Sequence, residues 1–195
     1  GCACGGLGLA LQEKFQLTNY TGIEINKLAA DFAIKMNPEA EIYHGDLLDL
    51  SIGKINHNFY DVVFSLSCVD WNTQFIKSLK AAWNHVRPGG DLVVTFRLTN
   101  KSGINDINQS YQYINYNGKR EGEVAAYVVL NFEKLIIELK QFNPEVINAY
   151  GYWGSPSETA VTPFTEICFA AFSIRKKETS FETATKIEYN FELPK

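Results

Sequence analysis

The first six residues, Gly1-Cys2-Ala3-Cys4-Gly5-Gly6, form a run of small side chains suited to holding a ligand on bare backbone. Glycine turns freely and puts no Cβ in the way of a bound group. Read as Gly1-x-Ala3-x-x-Gly6, the run satisfies a relaxed dinucleotide-binding fingerprint. Carboxylates follow at Glu24, Asp46 and Asp70. Asp70 suits a base acting on a hydroxyl or a protonated amine, and equally a cap for a helix opening near Asn72. Cys2 and Cys4 offer half of a metal site, but no second Cys/His pair at zinc-like spacing completes it, so no metal is expected. Cys68 reads as a small buried residue rather than a nucleophile.

Such residues act only if regular elements hold them. Helical spacing from Leu7 to Phe15 carries the chain out of the glycine loop, and Tyr20 to Ile25 reads as a short strand. Asn26 caps a helix whose Leu28, Ala29, Phe32 and Met36 share a face, stopped at Asn37-Pro38. Glu41 to His44 is a second strand. Tyr60 to Leu66 is a third, with the apolar run of a strand buried on both faces. Asn72 or Thr73 opens a helix with Phe75, Ile76, Leu79, Ala82, Trp83 and Val86 on one face. Arg87-Pro88-Gly89-Gly90 ends it and leads into a strand from Asp91 to Phe96.

The polar stretch 99–123 reads as an irregular, lid-like insertion. A helix over Phe132 to Phe142 and strands Val146 to Tyr152 and Glu166 to Ile174 follow, then a charged, loosely attached tail over 176–195. Strands alternating with helices imply an α/β fold: a doubly wound, mostly parallel Rossmann-like sheet with helices on both faces. The last two strands, with no helix between them, predict a C-terminal antiparallel hairpin at one edge. A Gly-rich turn normally follows a strand, so the first strand is expected to precede Gly1, outside this sequence.

Composition narrows the classes. The 195 residues are 46% hydrophobic and 21% charged, an ordinary single-domain balance. At this length folding buries roughly 70% of the unfolded surface, so no disulfide framework is required. Reduced thiols and a cytoplasmic location are the expectation. A net charge of −4 argues against nonspecific binding to nucleic-acid backbones. The apolar runs 124–130 and 167–172 are far shorter than the ~20 residues of a membrane helix, so no membrane partner is expected.

In an open α/β sheet the ligand lies beyond the carboxyl ends of the parallel strands. That rule gathers Gly1 to Gly6, Glu24 to Asn26, Gly45 to Leu47, Ser65 to Trp71 and Arg97 to Asn100. It sets His57 and His85 on the far side and leaves His44 beside the Gly45 turn, so no convincing histidine base is expected.

The ordered set resembles the class I S-adenosylmethionine-dependent methyltransferases over roughly residues 1–175. Gly1-Cys2-Ala3-Cys4-Gly5 is similar to that family's G-x-G-x-G loop, with Ala3 in place of the middle glycine. Glu24, 19 positions after Gly5, is similar to the acid that accepts the two ribose hydroxyl protons. Gly45-Asp46-Leu47 resembles the adenine-binding turn, and Tyr60 to Ser67 the fourth strand with the loop that faces the reactive methyl. Arg87-Pro88-Gly89-Gly90 is a frequent lead into the family's fifth strand. The resemblance therefore implies S-adenosylmethionine, converted to S-adenosylhomocysteine, held by Gly1, Cys2, Ala3, Gly5, Glu24, Ile25, Asp46, Leu47 and Ser65.

The activity so implied is in-line methyl transfer to the oxygen or nitrogen of a small polar or anionic molecule, with Asp70 as the catalytic candidate. Trp71, Arg97, Tyr113 and Trp153 are the acceptor candidates, Arg97 for a carboxylate or phosphate. Trp71 also fits a plain core aromatic. Tyr111, Tyr116, Lys119 and Arg120 belong to the same insertion, and Tyr152 to the last loop. No Pro-Pro-Tyr/Phe segment or Pro-Cys pair of nucleic-acid methylating enzymes follows the fourth strand, which disfavours that acceptor and leaves a protein acceptor open. Two alternatives stand beside this reading: a cofactor-binding domain without catalysis, and a NAD(P)-dependent dehydrogenase.

Overall fold

A computed structural model describes residues 1–49, 55, 57–115, 117–178 and 186–194 of the chain. It divides into two units, Gly1–Ile55 and Asn56–Lys195, each considered by itself. Tyr116 lies outside the described residues.

In the first unit, helix α1 (Gly6–Phe15) leaves the glycine loop directly. Strand β1 (Thr21–Glu24) is followed by helix α2 (Lys27–Met36) and strand β2 (Glu41–His44), and β1 and β2 pair in parallel. Asn26 caps α2 by accepting the Ala29 N–H at 3.1 Å. The face expected to be buried is corrected: Leu28 is 71% exposed, and Phe32 and Met36 are exposed too. The buried stripe is instead Ala30, Ala33 and Asn37, at i, i+3, i+7 spacing. The buried contact is made by small residues, which turns the large apolar residues outward. A short 3-10 turn, Leu47–Asp49, follows β2.

The second unit begins with strand β3 (Tyr60–Ser65), a 3-10 turn at Val69–Trp71, helix α3 (Phe75–His85) and the long strand β4 (Val86–Thr99). Three short strands come next: β5 (Tyr111–Tyr113), β6 (Val124–Ala126) and β7 (Leu130–Asn131). Helix α4 (Phe132–Lys140) is capped by Asn131, which accepts the Lys134 N–H at 2.9 Å. Strands β8 (Val146–Gly154), β9 (Ala160–Val161), β10 (Ile167–Arg175) and β11 (Glu188–Glu192) complete it.

The main sheet runs β11-β8-β10-β4-β3, with β7 also paired to β4. Pairs β3–β4, β4–β7 and β8–β11 are parallel, whereas β10 is antiparallel to both β4 and β8. The expected α/β fold, mostly parallel with a closing antiparallel hairpin, is thus present. Leu92, Val94 and Phe96 of β4 are buried with Leu79 of α3 and Phe172 and Ile174 of β10, and the Phe96 and Phe172 rings meet edge-on at 5.3 Å.

Several local expectations are corrected. β3 is not buried on both faces: Val62 and Phe64 are exposed, and among the described pairings β3 is the terminal strand of its sheet. Helix α3 starts at Phe75 rather than Asn72 or Thr73, because the Asn72 side chain accepts the Gln74 N–H in a turn before it. The insertion 99–123 is not wholly irregular, since β5 pairs antiparallel with β6 and β9. The tail is not loose throughout. Lys176 Nζ donates to Asn58 Oδ1 and the Val86 carbonyl, and β11 covers the edge of β8, displacing the hairpin from that edge. The Phe191 ring packs edge-on to Phe132 at 5.6 Å, an apolar contact hidden among charged neighbours in the sequence. Among the described residues no helix is long and apolar enough to cross a membrane.

Candidate functional site

The glycine loop of the first unit is fastened at three points. The Cys2 N–H donates to the Ile23 carbonyl at 2.9 Å, tying the loop to β1. Glu24, at the end of β1 and only 7% exposed, accepts the Ala3 N–H on Oε2 and the Asn26 N–H on Oε1, both at 2.8 Å. Asn37, at the end of α2, donates to the Gly5 carbonyl at 3.2 Å. The loop turns through left-handed backbone at Ala3 (φ 48°) and Gly5 (φ 82°). Glycine adopts that conformation readily; for Ala3 it costs about 1–2 kcal/mol.

Each Glu24 oxygen holds one backbone N–H and keeps a further lone pair for another donor. The neighbouring turn is shaped by Asp46, whose Oδ1 accepts the Leu48 N–H at 2.8 Å, while Gly45 N–H donates to the Glu24 carbonyl at 2.9 Å. The His44 ring meets the Ile25 carbonyl at 3.2 Å, so this histidine braces the turn. Hydrogen bonds thus tie Cys2, Ala3 and Gly5 of the loop to Ile23, Glu24 and Asn37, and Gly45 of the β2 turn to Glu24, within one unit.

The second unit holds a cavity of about 520 Å³. Sheet register builds its floor. Arg97 of β4 lies opposite Phe169 of β10, which lies opposite Tyr152 of β8; one step along, Thr95, Ala171 and Tyr150 form a second row. Successive strand residues point to opposite faces, so residues two apart share this face. Trp71 and Tyr127 contribute further walls, and Gln112, Ser155 and Ser157 the polar rim.

Asp70 and Arg97 meet inside this wall. Arg97 Nη1 donates to the Asp70 carbonyl at 2.8 Å, and Nε lies 3.4 Å from Asp70 Oδ2. Both side chains are nearly inaccessible, at 5–6%. The Arg97 guanidinium also packs 4.4 Å from the Trp71 ring centre and 3.9 Å from that of Tyr127, cation–π contacts strengthened by desolvation. Burial pushes the Asp70 carboxyl above its usual range, with the Arg97 charge acting against it. Burial likewise pulls the Arg97 guanidinium down, and burial raises the Tyr127 phenol. Asp70 Oδ1 is buried and has no hydrogen-bond partner among the described residues.

Of the sequence candidates, Asp70, Trp71 and Arg97 line the cavity together. Asp70 does not cap α3, since it sits in the 3-10 turn and is taken up by Arg97. Trp153 is placed differently: it lies opposite Cys168 on the other face of β8, lining a separate cavity of about 270 Å³ with Leu98 and Phe191. Tyr113 packs edge-on against Tyr111 at 5.7 Å rather than lining the larger cavity. Ser65 is buried, and its Oγ has no hydrogen-bond partner among the described residues. Tyr127, Tyr150, Phe169 and Gln112 were not legible as site residues. Tyr127 sits in an apolar run that reads as plain core, and the others are selected by cross-strand register alone. His57 stacks on buried His85 at 4.9 Å, and neither lines the cavity.

Residues 1–94 match the family model described as Methyltransferase domain. No curated protein sequence matches the chain. Among solved structures, a SAM-dependent methyltransferase from Methanosarcina mazei is similar with a TM-score of 0.68 at 16% identity, covering 92% of this chain and 91% of that one. A Haemonchus contortus phosphoethanolamine N-methyltransferase 2, in complex with phosphomonomethylethanolamine and S-adenosylhomocysteine, is similar with a TM-score of 0.62 at 12% identity, over 91% of this chain and 48% of that one. The [4+2]-cyclase SpnF is similar with a TM-score of 0.60 at 13% identity, over 92% and 74% of the two chains. The fold is that of the class I S-adenosylmethionine-dependent methyltransferases. The methyltransferase-domain match over residues 1–94 agrees with that likeness in fold.

Proposed function

We propose that the chain transfers the methyl group of S-adenosylmethionine to a small polar acceptor. The observation that carries this reading is Glu24: a buried carboxylate that holds the glycine loop and still has acceptor capacity for two hydroxyl groups. Gly1, Cys2, Ala3 and Gly5 would hold the methionine part on their backbone. Ile25 and Ser65 complete the set, Asp46 would accept from the adenine amine and the Leu47 backbone would address the ring. The residues present fit that group, since the loop carries no side chain larger than cysteine. When bound, the sulfonium supplies an activated methyl for in-line displacement, so positioning of the acceptor can account for much of the rate.

In this reading the second unit's cavity takes the acceptor. Trp71 and Tyr152 wall it, and Asp70 is the catalytic candidate, a carboxyl whose raised proton affinity suits it to take a proton from an amine or hydroxyl. Arg97 keeps Asp70 in place through the contacts at 2.8 and 3.4 Å.

Thermal unfolding with and without S-adenosylhomocysteine tests the reading. At ~100 times its dissociation constant the ligand adds about 2.7 kcal/mol, or roughly 5–11 °C for a chain of this size. The shift should be absent in Glu24→Ala and absent with NAD. A shift without methyl transfer to any acceptor would instead support a binding domain without catalysis. A shift with NAD alone would support the dehydrogenase.

A further inference from the structure

The charge inside the 520 Å³ cavity is already balanced. Arg97, which the sequence offers as an anion-binding group, has its Nη1 on the Asp70 carbonyl, its Nε at 3.4 Å from the Asp70 carboxylate and two aromatic rings against its guanidinium. An entering carboxylate or phosphate would have to compete with Asp70 for a cation that is buried and paired.

What the wall leaves over is an acceptor. Asp70 Oδ1 is buried and unpartnered among the described residues, whereas buried polar atoms are as a rule hydrogen-bonded. An N–H or O–H from a ligand or from a water would remove that deficit. The same cavity is lined by aromatic rings: Phe169 and Tyr152 stack at 5.7 Å with planes 29° apart, and Tyr150 stands in the next row. Aromatic walls favour a flat body by stacking.

The geometry points to an acceptor with a flat apolar body and an N–H or O–H that Asp70 Oδ1 receives, and to Arg97 as the residue that positions Asp70. This rests on the methyl-acceptor reading of the cavity above. The ligand class is thus an aryl-bearing amine or hydroxyl compound, and aryl carboxylates and phosphates are excluded by charge.

Ligand-observed NMR and calorimetry on the full chain, without cofactor, test this with four probes: 2-phenylethylamine, phenol, phenylacetate and phenyl phosphate. The first two should bind and compete with each other, and the two anions at least tenfold more weakly. Asp70→Asn keeps the side chain's shape but strips Arg97 of its counter-charge. It should weaken the amine at least tenfold and strengthen phenylacetate, reversing the order. Should Asp70→Asn fail to fold, Tyr152→Ala, at a ring 58% exposed, should weaken both the amine and phenol. Anions binding the unaltered chain as tightly as the amine overturn the inference. So does an absence of binding by all four probes, an unchanged order in folded Asp70→Asn, or amine and phenol binding untouched by Tyr152→Ala. Because the probes are ranked without cofactor, failure to bind S-adenosylhomocysteine would strike the methyltransferase reading separately.

Discussion

The Asn37 side-chain amide donates to the carbonyls of both Gly5 and Ala33 at 3.2 Å, so one buried residue joins the glycine loop to the end of α2. The contact is tight enough that a Cβ on Gly5 would run into the Asn37 amide and the Ala33 backbone. Gly5 is also in left-handed backbone, at φ 82°. Gly5→Ala should therefore destabilise by more than the ~1–2 kcal/mol of the backbone preference alone, lowering the melting temperature by at least ~2–4 °C. Ala3→Gly, which relieves the same conformation without a clash, should not lower it comparably. Thermal unfolding of the two variants side by side checks the contrast.

Asn131 does two jobs at the start of α4: its Oδ1 accepts the Lys134 N–H and its Nδ2 donates to the Lys101 carbonyl, both at 2.9 Å. Asn131→Ala removes both. Loss of the cap costs about 1 kcal/mol, so urea unfolding should show a lower midpoint with an unchanged slope. Asn131→Asp keeps the accepting oxygen and should retain most of the cap.

The buried pair gives a pH signature. Asp70 has its proton affinity raised by burial, against the pull of Arg97. A carboxyl whose folded value lies above its unfolded value of 3.8 adds stability below that value, which is lost as pH rises through the folded value. The melting temperature of the unaltered chain minus that of Asp70→Asn should therefore fall as pH rises from below 3.8. A difference that grows with pH instead would mean that Arg97 outweighs burial.

Removing one partner of that pair is costlier than removing both. Arg97→Met leaves Asp70 buried without its counter-charge, a change of about 3–5 kcal/mol in such settings. Arg97→Met combined with Asp70→Leu takes away both charges and should recover much of the loss. A double-variant cycle in denaturant measures the coupling. Equal losses in the single and double variants would show that the Trp71 and Tyr127 packing, rather than the charge pair, is what Arg97 contributes.

The alternation of the main strands and helices, the helix cap at Asn26 and the glycine loop followed by Glu24 were determined by the sequence alone. Each depends on spacing within a few residues, or on residue types that a turn or cap physically requires. Register and long-range pairing were decided by the tertiary structure. Trp153 and Tyr152 are neighbours in the chain, yet pairing with β10 sends one to each face of the sheet, and composition carries no mark of that parity. Arg97 looks like a free cation until β4 brings it to Asp70, 27 residues earlier in the chain. Local spacing reports helical and strand periods. Which face is covered, and which charge is answered, depends on chain segments that meet only when the sheet has formed.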